Sequence, residues 1–220
     1  MEVFVMIRLR FKTAFLAVFM LMFAATAFSQ EIIKLPAPKT EGGMPLMKAL
    51  KERKSGRQFT SRKLSLQTLS NLLWAAWGIN RPNGHRTAPS AMNLQDIDVY
   101  VAMSNGLYLY DAKDNQLKEI LDKDIRGATG TQDYVKNAAL DLVYVSDLSR
   151  LKVSDPTSAA FFNGAHTGFI AQNVYLFCAS EGLSAVVRGS IDKEALAKIM
   201  KLRPDQKITL AQSVGYPPKP

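Results

Sequence analysis

Two arginines and a serine in the run Arg53-Lys54-Ser55-Gly56-Arg57 are the first residues of this 220-residue chain whose spacing suggests chemistry. They stand where a helical pattern ends and the chain extends, so Arg53, Ser55 and Arg57 can project to one side. Two guanidinium forks and a hydroxyl match the oxygens of a phosphate group. Taken alone, the same five residues also describe a solvated helix end. A second candidate is Arg86 to Gln95, where Pro89 stiffens the chain and Ser90 and Asn93 offer hydrogen bonds. In isolation this run reads equally well as a Pro-Ser-Asn turn. A third runs from Gly182 to Gly189, in which apolar residues lead into Arg188-Gly189. Gly189 would let main-chain N–H groups approach a planar ligand, whereas the plain alternative is an ordinary connector.

Self-sufficient catalytic sets are missing. The chain has two histidines, His85 and His166, and one cysteine, Cys178, with no H-E-x-x-H, so a zinc site would need several carboxylates. No G-x-S-x-G elbow and no G-x-G-x-x-G fingerprint occur. Cys178 lies in an apolar helical run, where a thiol is usually a small buried hydrophobe. Catalysis here would therefore be carried by a cofactor. His166 and Tyr134 are acid/base candidates, but a satisfied structural role suits each better, and the catalytic residues stay unassigned.

The elements that would position these runs follow from periodicity. Residues 1–29 carry Arg8, Arg10 and Lys12, then an apolar run from Thr13 to Phe28 and small residues, the pattern of a cleaved secretory signal. The run is shorter than a spanning helix needs, so an exported protein with no stable membrane span is expected. Losing that segment removes three basic residues and Glu2, taking the net charge from +9 to +7. The charges are scattered, which argues against nucleic acid as a partner. Residues 30–44 read as an extended arm, and residues 45–220 as one domain. Helices are expected from Pro45 towards Gly56, from Ser65 to Gly78, over 116–121 and 131–137, from Gly164 to Glu181, and over 192–200. Strands are expected at Asp96–Met103, Leu107–Tyr110, Leu140–Val145 and Lys207–Gly215, the first two as a hairpin. The long helix is apolar on most sides, with His166, Asn173 and Ser180 as its one narrow polar stripe, so it belongs in a core or an interface. The fold class is α+β.

In this order the runs resemble the FMN-binding nitroreductase superfamily, over about Pro45 to Pro217. The resemblance rests on R-x-S-x-R, P-S-A-x-N, Gln132-x-x-Val135-x-x-Ala138, a G-x-x-A-Q-N helix ending E-G-L, and a terminal V-G-Y-P. The stretches R-T-A-P-S-A and Gly106-Leu107-Tyr108-Leu109-Tyr110-Asp111 look more like the branch of azoline-oxidising dehydrogenases. The resemblance implies a mostly antiparallel sheet flanked by helices, in a homodimer with FMN at the subunit interface. Arg53, Ser55 and Arg57 would bind the FMN phosphate and ribityl end. Pro89, Ser90, Ala91 and Asn93 would meet the same flavin from the partner subunit. Gln132 would touch the polar edge of the ring, and the backbone of Val187, Arg188 and Gly189 would approach its hydride-carrying nitrogen. The implied activity is hydride or electron transfer with a small organic substrate in a ping-pong cycle, and no metal is implied. A flavin- or heterocycle-binding protein without turnover is the alternative.

Overall fold

The computed structural model describes residues 31–219. The signal pattern over residues 1–29 lies outside them. Seven strands form one sheet: β1 (Ile32–Lys34), β2 (Ile97–Met103), β3 (Gly106–Asp111), β4 (Gln116–Leu121), β5 (Leu140–Asp147), β6 (Ser184–Arg188) and β7 (Gln206–Gly215). Their order is β1-β4-β3-β2-β5-β7-β6, and every pairing is antiparallel. Helices α1 (Leu46–Glu52), α2 (Leu66–Trp77), α3 (Leu148–Leu151), α4 (Pro156–Ser180) and α5 (Lys193–Ile199) complete the α+β fold.

Strand alternation sorts β5 between two cores. Leu140, Leu142 and Tyr144 join α2 and α4 in the larger one, with Leu72, Leu73, Ile170 and Val174. Val143 and Val145 join α5 in the smaller one, with Leu196, Met200 and Ile208. Burial on both faces explains why β5 reads as a nearly continuous apolar run.

Helix α2 forms as its pattern predicts. Ser65 caps it by accepting from the Thr68 N–H (3.1 Å), and Leu69, Leu72, Leu73, Ala76 and Trp77 line the buried side. Helix α4 begins eight residues before the expected Gly164. Asp155 accepts from the Ser158 N–H (2.8 Å) and Pro156 takes the first helical position, a cap signal present in the sequence. The stripe of His166, Asn173 and Ser180 consists of ties. His166 is buried, Asn173 donates to the Ala75 carbonyl, and Ser180 Oγ accepts from the Met44 N–H.

Two expectations need correction, and two edge strands add to those expected. Gln116–Leu121 is strand β4, paired with β3 on one side and β1 on the other, instead of a helix. Its Gln, Leu, Lys and Glu favour helix locally, but the turn at Asn115 (φ 45°) lays them along β3, and pairing on two sides overrules that preference. The helix expected over 131–137 shrinks to one 3-10 turn at Val135–Asn137. The stretch after Gly182 is the edge strand β6, and the extended arm contributes the opposite edge strand, β1.

Candidate functional site

The R-x-S-x-R run leaves the end of α1 and passes along the edge of β6. Gly56 N–H donates to the Ala185 carbonyl (2.9 Å). A Cβ on Gly56 would lie 2.5 Å from Ser184 Oγ, so glycine is needed for this close approach rather than as a helix stop. The Arg53 guanidinium sits over the Tyr175 ring, 5.3 Å from its centre. Tyr175 Oη shares a hydrogen bond with Ser55 Oγ (2.9 Å) and accepts from the Val187 N–H (2.8 Å). One buried tyrosine of α4 thus joins the first predicted run to the third. It occupies the Val187 N–H, and the next N–H on that strand edge, that of Gly189, has no partner among the described residues. Arg57 is exposed, and no hydrogen bond or ion pair to the described residues fixes it there.

Gln132 reaches the same corner from below. The Thr131 N–H donates to the Ser190 carbonyl (3.1 Å), and the rings of Phe59 and Tyr134 meet at 6.2 Å. These contacts dock residues 131–134 against both the R-x-S-x-R run and the exit of β6. The Arg188 side chain turns inward instead of towards a ligand. Nη1 donates to the Thr129 carbonyl (2.6 Å), and Nη2 to Asp141 Oδ1 (2.7 Å) and Thr129 Oγ1 (3.2 Å). Gly130 is glycine because a Cβ there would collide with this guanidinium. Gln132 Oε1, Arg188 Nε and Asp141 Oδ2 are buried without a partner among the described residues. Native interiors leave few such atoms, and several within one cluster suggest a polar ligand or ordered water.

The P-S-A-x-N run forms a 3-10 turn at Ala91–Asn93 whose backbone is held out of the usual regions. Met92, Asn93 and Gln95 have φ of 50°, 54° and 48°. Left-handed backbone costs a non-glycine residue about 1–2 kcal/mol, so the turn must be held by its surroundings. Ser90 Oγ accepts from the Gln95 N–H (3.0 Å), and Gln95 Nε2 donates to Asn93 Oδ1 (3.0 Å). Arg86 Nε donates to Gln95 Oε1 (2.8 Å). Below the turn, the Ala91 N–H donates to His166 Nε2 (2.8 Å) and His166 Nδ1 lies 2.6 Å from Asp96 Oδ1. Because Nε2 accepts, the proton sits on Nδ1 and is given to Asp96. His166 is 2 % exposed and both its nitrogens are engaged, so it is a prop for the turn and not a free acid or base. Pro89, Met92 and Asn93 remain exposed.

The structure therefore brings Arg53, Ser55, Arg57, Gln132 and Val187–Gly189 to one corner and puts Pro89, Ser90, Ala91 and Asn93 elsewhere. Helix α4 separates the two groups. Tyr175 and His166 are nine residues apart, which is half a turn around the helix and about 14 Å along it. The two groups are therefore tethered to opposite sides of α4 within one chain. Tyr175, Asp96 and Asp141 were not singled out from the sequence. Asp141 had a signal, since it is the only charged residue within the apolar run 140–145.

Among the described residues, no group of His, Cys, Asp and Glu could hold a metal ion, and no helix is long and apolar enough to cross a membrane. Residues 50–216 match the model of the Nitroreductase family. A crystal structure assigned to the nitroreductases from Ralstonia eutropha JMP134 is 44% identical with a TM-score of 0.83, covering 89% of this chain and 94% of that one. A protein of Methanocaldococcus jannaschii assigned as a nitroreductase is 27% identical over 162 residues, covering 69% of this chain and 82% of its own. The NADPH:FMN oxidoreductase of Vibrio harveyi, solved with NAD+, shares the fold at a TM-score of 0.60 and 20% identity, over 79% of this chain and 67% of that one.

Proposed function

Because the chain belongs to the nitroreductase family, a general flavin-dependent oxidoreductase, we propose that its cofactor is FMN, held between two copies of the chain, and that it serves a ping-pong exchange with a small organic substrate. The observation that carries this reading is the corner at the β6 edge. Around it, the exposed guanidinium of Arg57, the N–H of Gly189 and the buried Gln132 Oε1 are each without a partner among the described residues. These suit a phosphate at one end and a ring with donors and acceptors along its edge at the other. Bound FMN would supply the capacity to take up a hydride and pass the electrons on. The chain's own part is to bind, orient and shield: Arg53 and Arg57 hold the phosphate, Ser55 the ribityl chain, and Gly189 and Gln132 the ring edge.

The partner copy would bring Pro89, Ser90, Ala91 and Asn93, which the intervening helix keeps from this corner. The open face of α4 supports such a homodimer. Phe161 and Phe169 are 71% and 46% exposed. Gly164 and Gly168 lie nearby, and a Cβ on either would meet nothing within 4 Å. Glycine inside a helix costs about 1 kcal/mol relative to alanine. Nothing in the same chain requires it, whereas close packing of a second copy would. Within the family, R-T-A-P-S-A and the strand G-L-Y-L-Y-D favour the azoline-oxidising branch. The signal pattern favours export, and with it a donor other than a reduced nicotinamide.

The test is comparative binding. FMN should bind more tightly than riboflavin, and Arg57→Ala should weaken FMN about tenfold or more, the loss of one charge-assisted contact. Equal affinity for the two flavins, or an Arg57→Ala variant that binds FMN normally, overturns the assignment.

A further inference from the structure

Asp141 is fully buried on the face of the sheet that α5 covers. Its Oδ1 accepts from Arg188 Nη2 (2.7 Å) and from Ser213 Oγ (2.5 Å), while its Oδ2 has no partner. The arginine it holds belongs to the segment whose main chain forms the proposed ring-binding corner, and Gln132 Oε1 lies across Gly130 from the same guanidinium. Nothing in the binding set described above uses this carboxylate. A charge pair in the interior costs several kcal/mol per ion to desolvate, so its retention beneath a binding corner calls for a role beyond stability.

Resting on the FMN reading, we infer that Asp141 is a positioning residue which, through Arg188, sets how tightly the corner holds reduced relative to oxidised flavin. With Asp141 ionised, the pair is neutral. With Asp141 protonated, one buried positive charge remains under the 187–189 main chain, and that charge favours a flavin ring that has become anionic on reduction. Among the described residues, the charged groups that act most on Asp141 are Arg188 from β6 and Arg126 from the turn at 126–128. β7 presents Ser213, and β2 presents Ala102. Burial pushes the Asp141 carboxyl up to about 7, with Arg188, the Ser213 hydrogen bond and Arg126 drawing it back down. The switch between the two charge states therefore falls near neutral pH.

The experiment measures dissociation constants of oxidised and of chemically reduced FMN, anaerobically, from about pH 5.5 to about 9. Wild type is compared with Asp141→Asn and Ser213→Ala. In wild type the preference for reduced FMN should fall about tenfold as pH rises through neutrality, a change of about 30 mV in a two-electron potential. Asp141→Asn should keep the low-pH preference throughout. Ser213→Ala removes a bond to the carboxylate and should move the transition to higher pH. If Asp141→Asn cannot be folded, the Ser213→Ala shift decides. Variants that bind oxidised FMN as wild type does and show its preference at every pH overturn the proposal. Failure of wild type to bind FMN at all strikes the cofactor assignment instead.

Discussion

Replacing His166 by asparagine and by glutamine separates the two bonds that this buried ring makes. Asparagine places its Nδ2 near the position of His166 Nδ1, so it can still donate to Asp96 but offers nothing to the Ala91 N–H. Glutamine reaches as far as Nε2 and can accept from Ala91, but it withdraws the donor from Asp96. The Ala91 bond is a neutral one, 2.8 Å long, and its loss should cost about 1 kcal/mol. The Asp96 bond involves a carboxylate with no solvent exposure, whose other oxygen has only Ser146 Oγ at 3.2 Å. Stranding a buried charge costs about 3–5 kcal/mol. In chemical denaturation, His166→Gln should therefore be the more destabilised variant by about 2 kcal/mol or more.

The binding readout should run the other way. Met92, Asn93 and Gln95 together store a few kcal/mol of backbone strain, and the Ala91 bond is the prop that joins their turn to α4. In His166→Asn the turn should exchange its amide hydrogens faster, and FMN affinity should drop about fivefold to tenfold while the protein stays folded. Should His166→Asn and His166→Gln lose equal stability, or should His166→Asn leave both the turn's protection and FMN affinity untouched, the division of labour argued here is wrong.

Two further outcomes follow from α4. Gly168→Leu should convert a homodimer to monomer in analytical ultracentrifugation and abolish FMN binding with it, because each half-site would lose its complement. A dimer that keeps FMN would refute the packing of a second copy on this face. Cys178 is buried, and burial raises its thiol well above the ordinary range. A maleimide reagent should therefore label it only at the rate of global unfolding, and rapid labelling of the native protein would contradict that burial.

What could be read from the sequence was what repeats locally. The alternation of Ile97, Val99 and Val101 placed β2, Ser104-Asn105-Gly106 placed the hairpin, and Ser65 with its leucines placed α2. The motif runs could be found for the same reason, since each is contiguous. The bonds that assemble them are not contiguous. Ser55 meets Tyr175 across 120 residues, His166 meets Asp96 across 70, and Arg188 meets Asp141 across 47. No periodicity carries that information, because it is created only when the sheet closes. Strand β4 failed for a related reason: its local preference was helical, and pairing on two sides overruled it.

The same distinction explains the division of the candidate site. A helix that is apolar on nearly every side must satisfy several neighbours at once. In one chain α4 meets the sheet through Ile170, Ala171 and Val174, α2 through Asn173, and the β6 corner through Tyr175. That leaves the face with Phe161, Gly164, Gly168 and Phe169 unmet. His166 and Tyr175 point to opposite sides because nine residues make two and a half turns, so each tethers one half-site and neither tethers both. A substitution that tightened one tether would not bring the halves together, whereas the proposed second copy would. The strained turn at Met92–Gln95 and the unpartnered groups at Gly189 and Gln132 are then two parts of one requirement. In the proposed homodimer, each chain would keep a rigid surface exposed and a polar corner unsatisfied until the partner placed the first over the second.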